Sequence, residues 1–157
     1  MKYIGVKIVE AVEMVAEEAR EVGGYRTGAS SGYDDGYEVT YPDGYKSWCP
    51  KDVFDKANRQ CDAMSFGYAI EALKHGMKVC RAGWNEKNMF VYLVKETSIP
   101  KENLRNECFA HVGPLVLAGA SLDLCSHIDM KAADGSIVVG WLASHTDMLA
   151  DDWMIVE

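Results

Sequence analysis

The sequence predicts an α+β fold of small antiparallel sheets joined by short helices. Three observations carry that expectation. Two alternating runs fold back around tight-turn residues, YEVTYPDGYKSW about Pro42-Asp43-Gly44 and HIDMKAADGSIVVGW about Ala133-Asp134-Gly135. Two helical stretches, VAEEAREVGG and FGYAIEALKH, are short and run into glycine. The 157 residues are 48% hydrophobic and 25% charged, which is ordinary for a globular chain and argues against disorder as the main state.

Taken in order, KYIGVKIV reads as a strand and VAEEAREVGG as a helix of good helix formers ending at Gly23 and Gly24. RTGASSGYDDG is a loop by its Gly, Ser and Asp content. The first hairpin follows, and Pro50 then opens the helix PKDVFDKANR at its first turn. Residues 1–60 thus form a small strand, helix, hairpin, helix module, with a boundary at Gln60 to Ala63 and a second domain over residues 61–157. Ser65 is placed to cap FGYAIEALKH, whose Phe66, Ala69, Ile70 and Leu73 recur at helical spacing until Gly76. MKVCR and MFVYLV are strands on either side of the loop AGWNEKN. IPKENLRN suggests a helical turn after Pro100, whereas HVGPLVLAGASLDLC is apolar but punctuated by Gly and Pro and takes no assignment. The second hairpin, a short turn DMLADD capped by Thr146, and the strand WMIV close the chain.

The formal net charge of -8 sets up a field that repels nucleic-acid polymers and anionic lipid surfaces. A small anion is a different case, since one arginine and a few backbone N–H groups satisfy a phosphate locally. No run approaches the roughly 18 apolar residues that span a bilayer, and MKYIGVKIVE lacks the core and cleavage site of a signal peptide, so a cytoplasmic location is expected. The cysteines, at 49, 61, 80, 108 and 125, are widely spaced with no Cys-x-x-Cys pair. Buried free thiols are the expectation, with Cys80 beside Arg81 the one to check for reactivity.

The chain carries no Gly-x-Ser-x-Gly elbow, no phosphate-binding Gly-x-x-x-x-Gly-Lys loop and no His-Glu-x-x-His helix. His127 and Asp129 lie two apart on a predicted strand and so share a face, which suits an acid–base pair but more often means a plain hydrogen-bonding pair. In HTDMLADDW, Asp147 follows Thr146 at a helix start, where a carboxylate favours the positive end. Asp151 and Asp152 fall at the far end, so each is solvated or paired to a specific group. No metal site or catalytic residue is assigned, and no cofactor is expected. Trp84, in RAGWN, sits in a loop beside an arginine, the combination that stacks a planar base and grips a phosphate. Spacing alone weighs slightly toward the other reading, in which the ring packs on the core under its own loop.

The runs MSFGYAIEALKHGMKVCRAGWNEKNMFVYLV and HIDMKAADGSIVVGWLASHTDMLADDWMIV closely resemble the second Thoeris anti-defence family of small phage proteins. The family reads Val-x-Arg-x-Gly-Trp and, at the close, Trp-x-x-Ser-x-x-Asp-x-x-Ala-x-Asp-Trp, and the match covers roughly residues 63–157. Residues 1–60 resemble a small module of other phage proteins, which implies no activity, and Lys95 to Ser126 departs from short members of the family. The resemblance implies a sponge, not an enzyme. It would bind and hide glycocyclic ADP-ribose made by bacterial TIR-domain enzymes, in some members also CBASS cyclic dinucleotides, inside the infected host cell. It further implies a homotetramer, with pockets between protomers. Carried onto this sequence, Trp84 would stack on the base or close the pocket with Met89 and Phe90 beside it, while Asn85, Ser144, Thr146 and Asp147 supply polar contacts. Arg81 would either take a phosphate or pair with a carboxylate of the closing segment, and Trp141 and Trp153 belong to the core. The competing classes are a nucleotide-degrading hydrolase using His127 and Asp129, and a phage structural or interaction protein.

Overall fold

The structure is a computed structural model that describes residues 7–23 and 34–157. It divides into two compact units, Met1–Ala63 and Met64–Glu157.

The first unit is built on a three-stranded antiparallel sheet of β1 (Glu10–Glu13), β2 (Gly36–Thr40) and β3 (Lys46–Pro50), in that order. β2 and β3 form the expected hairpin, with Gly44 at a φ of 81° in its turn. The first strand departs from expectation. Residues 2–6 of KYIGVKIV lie outside the described residues, residues 7–9 are not strand, and β1 is the next segment, EAVE, set by its ladder from Glu10–Thr40 to Glu13–Tyr37. Pairing with β2 places the strand here. Most of RTGASSGYDDG also lies outside the described residues. The helix α1 (Ala16–Gly23) buries Ala16 and Ala19 with Trp48, whose Nε1 donates to the Met14 carbonyl at 2.8 Å. Pro50 is the last residue of β3 and precedes α2 (Lys51–Ala57) instead of lying in its first turn.

The second unit is a five-stranded antiparallel sheet in the order β10, β4, β5, β8, β9. Its strands are β4 (Lys78–Arg81), β5 (Phe90–Val94), β8 (His127–Lys131), β9 (Ile137–Val138) and β10 (Trp153–Val156). The helix α3 (Phe66–Lys74) covers one face. Val79 stands opposite Val91, and Val91 opposite Met130, so these three share that face and join Ala69, Ala72, Leu73 and Trp153 in the core. Ser65 occupies the N-cap position of α3, yet its side chain makes no capping hydrogen bond, and Gly76 leaves the helix at a φ of 83°. Met64 and Trp153 exchange backbone hydrogen bonds at 2.7 and 3.0 Å, which ties the first residue of the unit to its last strand.

AGWNEKN is not an open loop: α4 (Ala82–Asn85) is a single helical turn, followed by Asn88 at a φ of 50°. The unassigned segment supplies a strand. β7 (Ser121–Leu124) pairs with β6 (Thr97–Pro100) after a 3₁₀ turn at Lys101–Asn103, the helix α5 (Asn106–His111) and a second such turn at Gly113–Leu115. The expectation of buried thiols is also corrected: Cys61, Cys108 and Cys125 are exposed, Cys49 is half-buried, and Cys80 is buried. Burial, and then the charge of Asp152, pushes the Cys80 thiol up, which disfavours the thiolate despite the neighbouring arginine. Among the described residues no helix is long and apolar enough to cross a membrane.

Candidate ligand-binding site

The closing segment carries a one-turn helix, α6 (His145–Met148), whose cap is Ser144 and not Thr146. Ser144 Oγ accepts the Asp147 backbone N–H at 3.2 Å, and the Asp147 carboxylate accepts the Ser144 backbone N–H at 3.0 Å. The reciprocal pair is a capping box with aspartate at its third position, and Ser-x-x-Asp in the sequence was the signal for it. Thr146 lies within the turn, its hydroxyl 2.8 Å from that of Ser144, and both residues are exposed.

Arg81 ends β4 and reaches across to this segment. Its Nε donates to Asp152, and its Nη1 donates to Asp147 Oδ1 at 3.0 Å. The hydrogen bond to Asp152 does most to hold the Arg81 pKa above its ordinary value. Burial alone would raise the Asp147 pKa, but the Ser144 hydroxyl and N–H, with the Arg81 guanidinium, hold it below the ordinary aspartate value. Arg81 is therefore committed to two carboxylates of its own chain. Asp151 is exposed.

Three tryptophans meet beside this cluster. The Trp84 ring centroid lies 5.4 Å from that of Trp153 at 79°, and 6.0 Å from that of Trp141 at 90°. Trp141 and Trp153 are 6.2 Å apart at 71°, so the triad is edge-to-face throughout. Trp153 is fully buried, whereas Trp84 and Trp141 are half-buried. Trp84 thus packs against the core and keeps part of its surface in solvent. The guanidinium of Arg81 lies 5.8 Å from the Trp153 ring centroid, which makes that ring the point where the aromatic and polar parts meet.

The structure brings together Arg81, Trp84, Met89, Ser144, Thr146 and Asp147, and it separates Phe90. Met89 donates its N–H to the Trp84 carbonyl at 3.3 Å and packs on the same core. Phe90, next to the inward Val91, faces the other side of the sheet, 6.1 Å from Tyr92 and with Lys78 Nζ 5.4 Å above its ring. The side chain of Asn85 lies outside the described residues.

On that other side of the sheet sits Asp129, at 6% exposure the buried charged residue among those described. Its Oδ1 accepts the Gly140 N–H at 2.9 Å and lies 3.5 Å from His127 Nε2, while Oδ2 accepts from the Tyr92 hydroxyl at 3.5 Å. Burial, followed by the Asp129 charge, raises the Tyr92 pKa. His127 Nδ1 is 2.9 Å from the Cys125 carbonyl, so its ring stands between that carbonyl and the Asp129 carboxylate. Elsewhere, an open depression of about 310 Å³ is lined by Glu102, Leu104, Arg105 and Phe109 and contains none of the tryptophans. Val139, Leu142 and Leu149, which flank Trp141 and Asp147 in the chain, are 71%, 88% and 84% exposed.

The family model described as the Thoeris anti-defense 2-like domain matches residues 64–156. A protein named Thoeris anti-defense 2, from Bacillus phage SP01, is 37% identical over 101 residues, taking in 60% of this chain and 96% of that protein.

Proposed function

We propose, from the premise that this chain belongs to the Thoeris anti-defense 2-like family, that it counters Thoeris immunity by sequestering a signal nucleotide without cleaving it. The ligand is glycocyclic ADP-ribose, and CBASS cyclic dinucleotides are further candidates. Residues 61–157 form the sequestering domain and act in the cytoplasm of the infected host.

One observation carries this reading: Trp84 is edge-on to two other tryptophans and still only partly buried, with the exposed hydroxyls of Ser144 and Thr146 held nearby through Arg81 and Trp153. An anchored indole with open surface suits an adenine ring, and stacking of a base on it contributes about 1 to 3 kcal/mol. Nanomolar sequestration needs about -12 kcal/mol, so polar contacts must add to stacking. Ser144, Thr146 and Asn85 supply them, and Trp84 and Met89 line the apolar side. The two ion pairs of Arg81 favour a framework role for it and for Asp147, with phosphate contacts left to other groups.

A second copy closes the pocket. Val139, Leu142 and Leu149 present apolar surface next to the site, of the kind that symmetric association buries, and this supports the homotetramer with ligand held between protomers.

The deciding experiment is recovery. Protein incubated with glycocyclic ADP-ribose and then denatured releases intact ligand; release of a cleavage product overturns sequestration and favours a hydrolase centred on His127 and Asp129. Calorimetry without a binding signal for any cyclic nucleotide would favour a structural or interaction protein.

A further inference from the structure

Trp141 reaches the tryptophan triad only because the chain breaks register beside β8. The ladder pairs Lys131 with Ile137 and Met130 with Val138. Continued regularly, it would set Gly140 opposite Ile128 and Trp141 opposite His127, on the sheet face away from α3. Instead the Trp141 N–H donates to the Ile128 carbonyl at 2.7 Å, and Gly140 takes a φ of 70°. One extra residue has been inserted, a bulge with glycine in the left-handed region, and it moves Trp141 to the face that carries Ile128, Trp84 and Trp153. A bulge leaves its extra residue without a ladder partner. Here the Gly140 N–H is taken by the Asp129 carboxylate at 2.9 Å.

We propose that Asp129 is the positioning residue of the site: its carboxylate holds the Gly140 bulge and so delivers Trp141 to the ligand-bearing side of the sheet. The inference rests on the reading of the triad as the wall of a nucleotide pocket. A buried carboxylate needs donors, and those it has are the Gly140 N–H and the Tyr92 hydroxyl, with the His127 ring 3.5 Å away. Among them, only Gly140 belongs to the segment that leads directly into Trp141. The function of the pair His127–Asp129 is on this view conformational.

Two variants separate acceptance from charge. Asp129→Ala removes the acceptor, whereas Asp129→Asn keeps an oxygen that can take the Gly140 N–H. Asp129→Ala is expected to lose most of the near-ultraviolet circular dichroism of the coupled indoles while its far-ultraviolet spectrum is kept, and to bind glycocyclic ADP-ribose at least tenfold more weakly. Asp129→Asn is expected to retain both. An unchanged indole spectrum in Asp129→Ala, or equal loss in Asp129→Asn, overturns the proposal. Should Asp129→Ala fail to fold, amide exchange of the wild type decides: protection of Gly140 comparable to Met130 supports the clamp, and free exchange overturns it. The spectra need no ligand, so an altered indole signal with unaltered affinity upholds the clamp and counts against the triad as the pocket wall.

Discussion

The indole Nε1 of Trp153 donates to the backbone carbonyl of Asp147 at 2.9 Å. Asp147 is thereby engaged at every polar group it has: its N–H by Ser144, its carbonyl by Trp153 and its carboxylate by Ser144 and Arg81. A fully buried ring at the end of the sheet and an exposed one-turn helix are thus a single construction. The helix is too short to persist by itself, and its geometry is imposed by the side chains that grip it.

Capping separates two neighbouring hydroxyls. Ser144→Ala removes the N-cap oxygen and is expected to lower stability by about 1 kcal/mol, whereas Thr146→Ala, which leaves the cap intact, should stay within about 0.5 kcal/mol of the wild type. Urea unfolding midpoints at constant slope would measure the difference. Equal losses would return the cap to Thr146.

Acid stability follows from the depressed pKa of Asp147. The unfolded chain titrates this carboxylate near the ordinary aspartate value of about 3.9, and the folded protein below it. The folded state therefore binds fewer protons, and the stabilisation is complete above the unfolded pKa and is lost as pH falls through the folded one. Asp147→Asn should reduce stability at neutral pH and flatten the decline between roughly pH 5 and 2. A decline as steep as that of the wild type would place the responsible carboxylate elsewhere.

Ligand affinity tests the partly buried ring of Trp84. Trp84→Ala is expected to weaken glycocyclic ADP-ribose binding by roughly 5- to 140-fold, the equivalent of one stacked base, with the assembly unchanged on size-exclusion chromatography. Unchanged affinity would show that the indole serves the core alone.

Gly36 tests the first unit independently. A methyl group there would lie 2.3 Å from Cζ2 of Trp48 and 2.6 Å from the Cys49 carbonyl oxygen, contacts that strand backbone cannot absorb. Gly36→Ala is expected to destabilise this unit by about 1 to 3 kcal/mol, read from Trp48 fluorescence during unfolding.

Both hairpins were legible in the sequence because a tight turn is written in adjacent residues: Pro42-Asp43-Gly44 and Ala133-Asp134-Gly135 act within a few ångströms of themselves. α1, α3 and the closing strand were legible for the same reason, in periodicity and glycine stops. What escaped was set by distance. β1 took its position from Tyr37 to Thr40 of another strand, and β7 from Thr97 to Pro100 across an intervening helix. Within the site, the tryptophan, the arginine and its carboxylate partners could be named from motif spacing. The triad could not, because strand alternation sends Trp141 to the opposite face unless the bulge at Gly140 is known.

The bridge between Met64 and Trp153 bears on modularity. The Thoeris anti-defense 2-like unit begins and ends on neighbouring backbone, closed by a reciprocal pair of hydrogen bonds. The three strands upstream of that seam form a sheet of their own and add no strand to the five-stranded one. Both ends of that unit therefore meet at one seam, so its sheet is stitched shut by the same two residues at which its stretch of chain opens and its last strand starts.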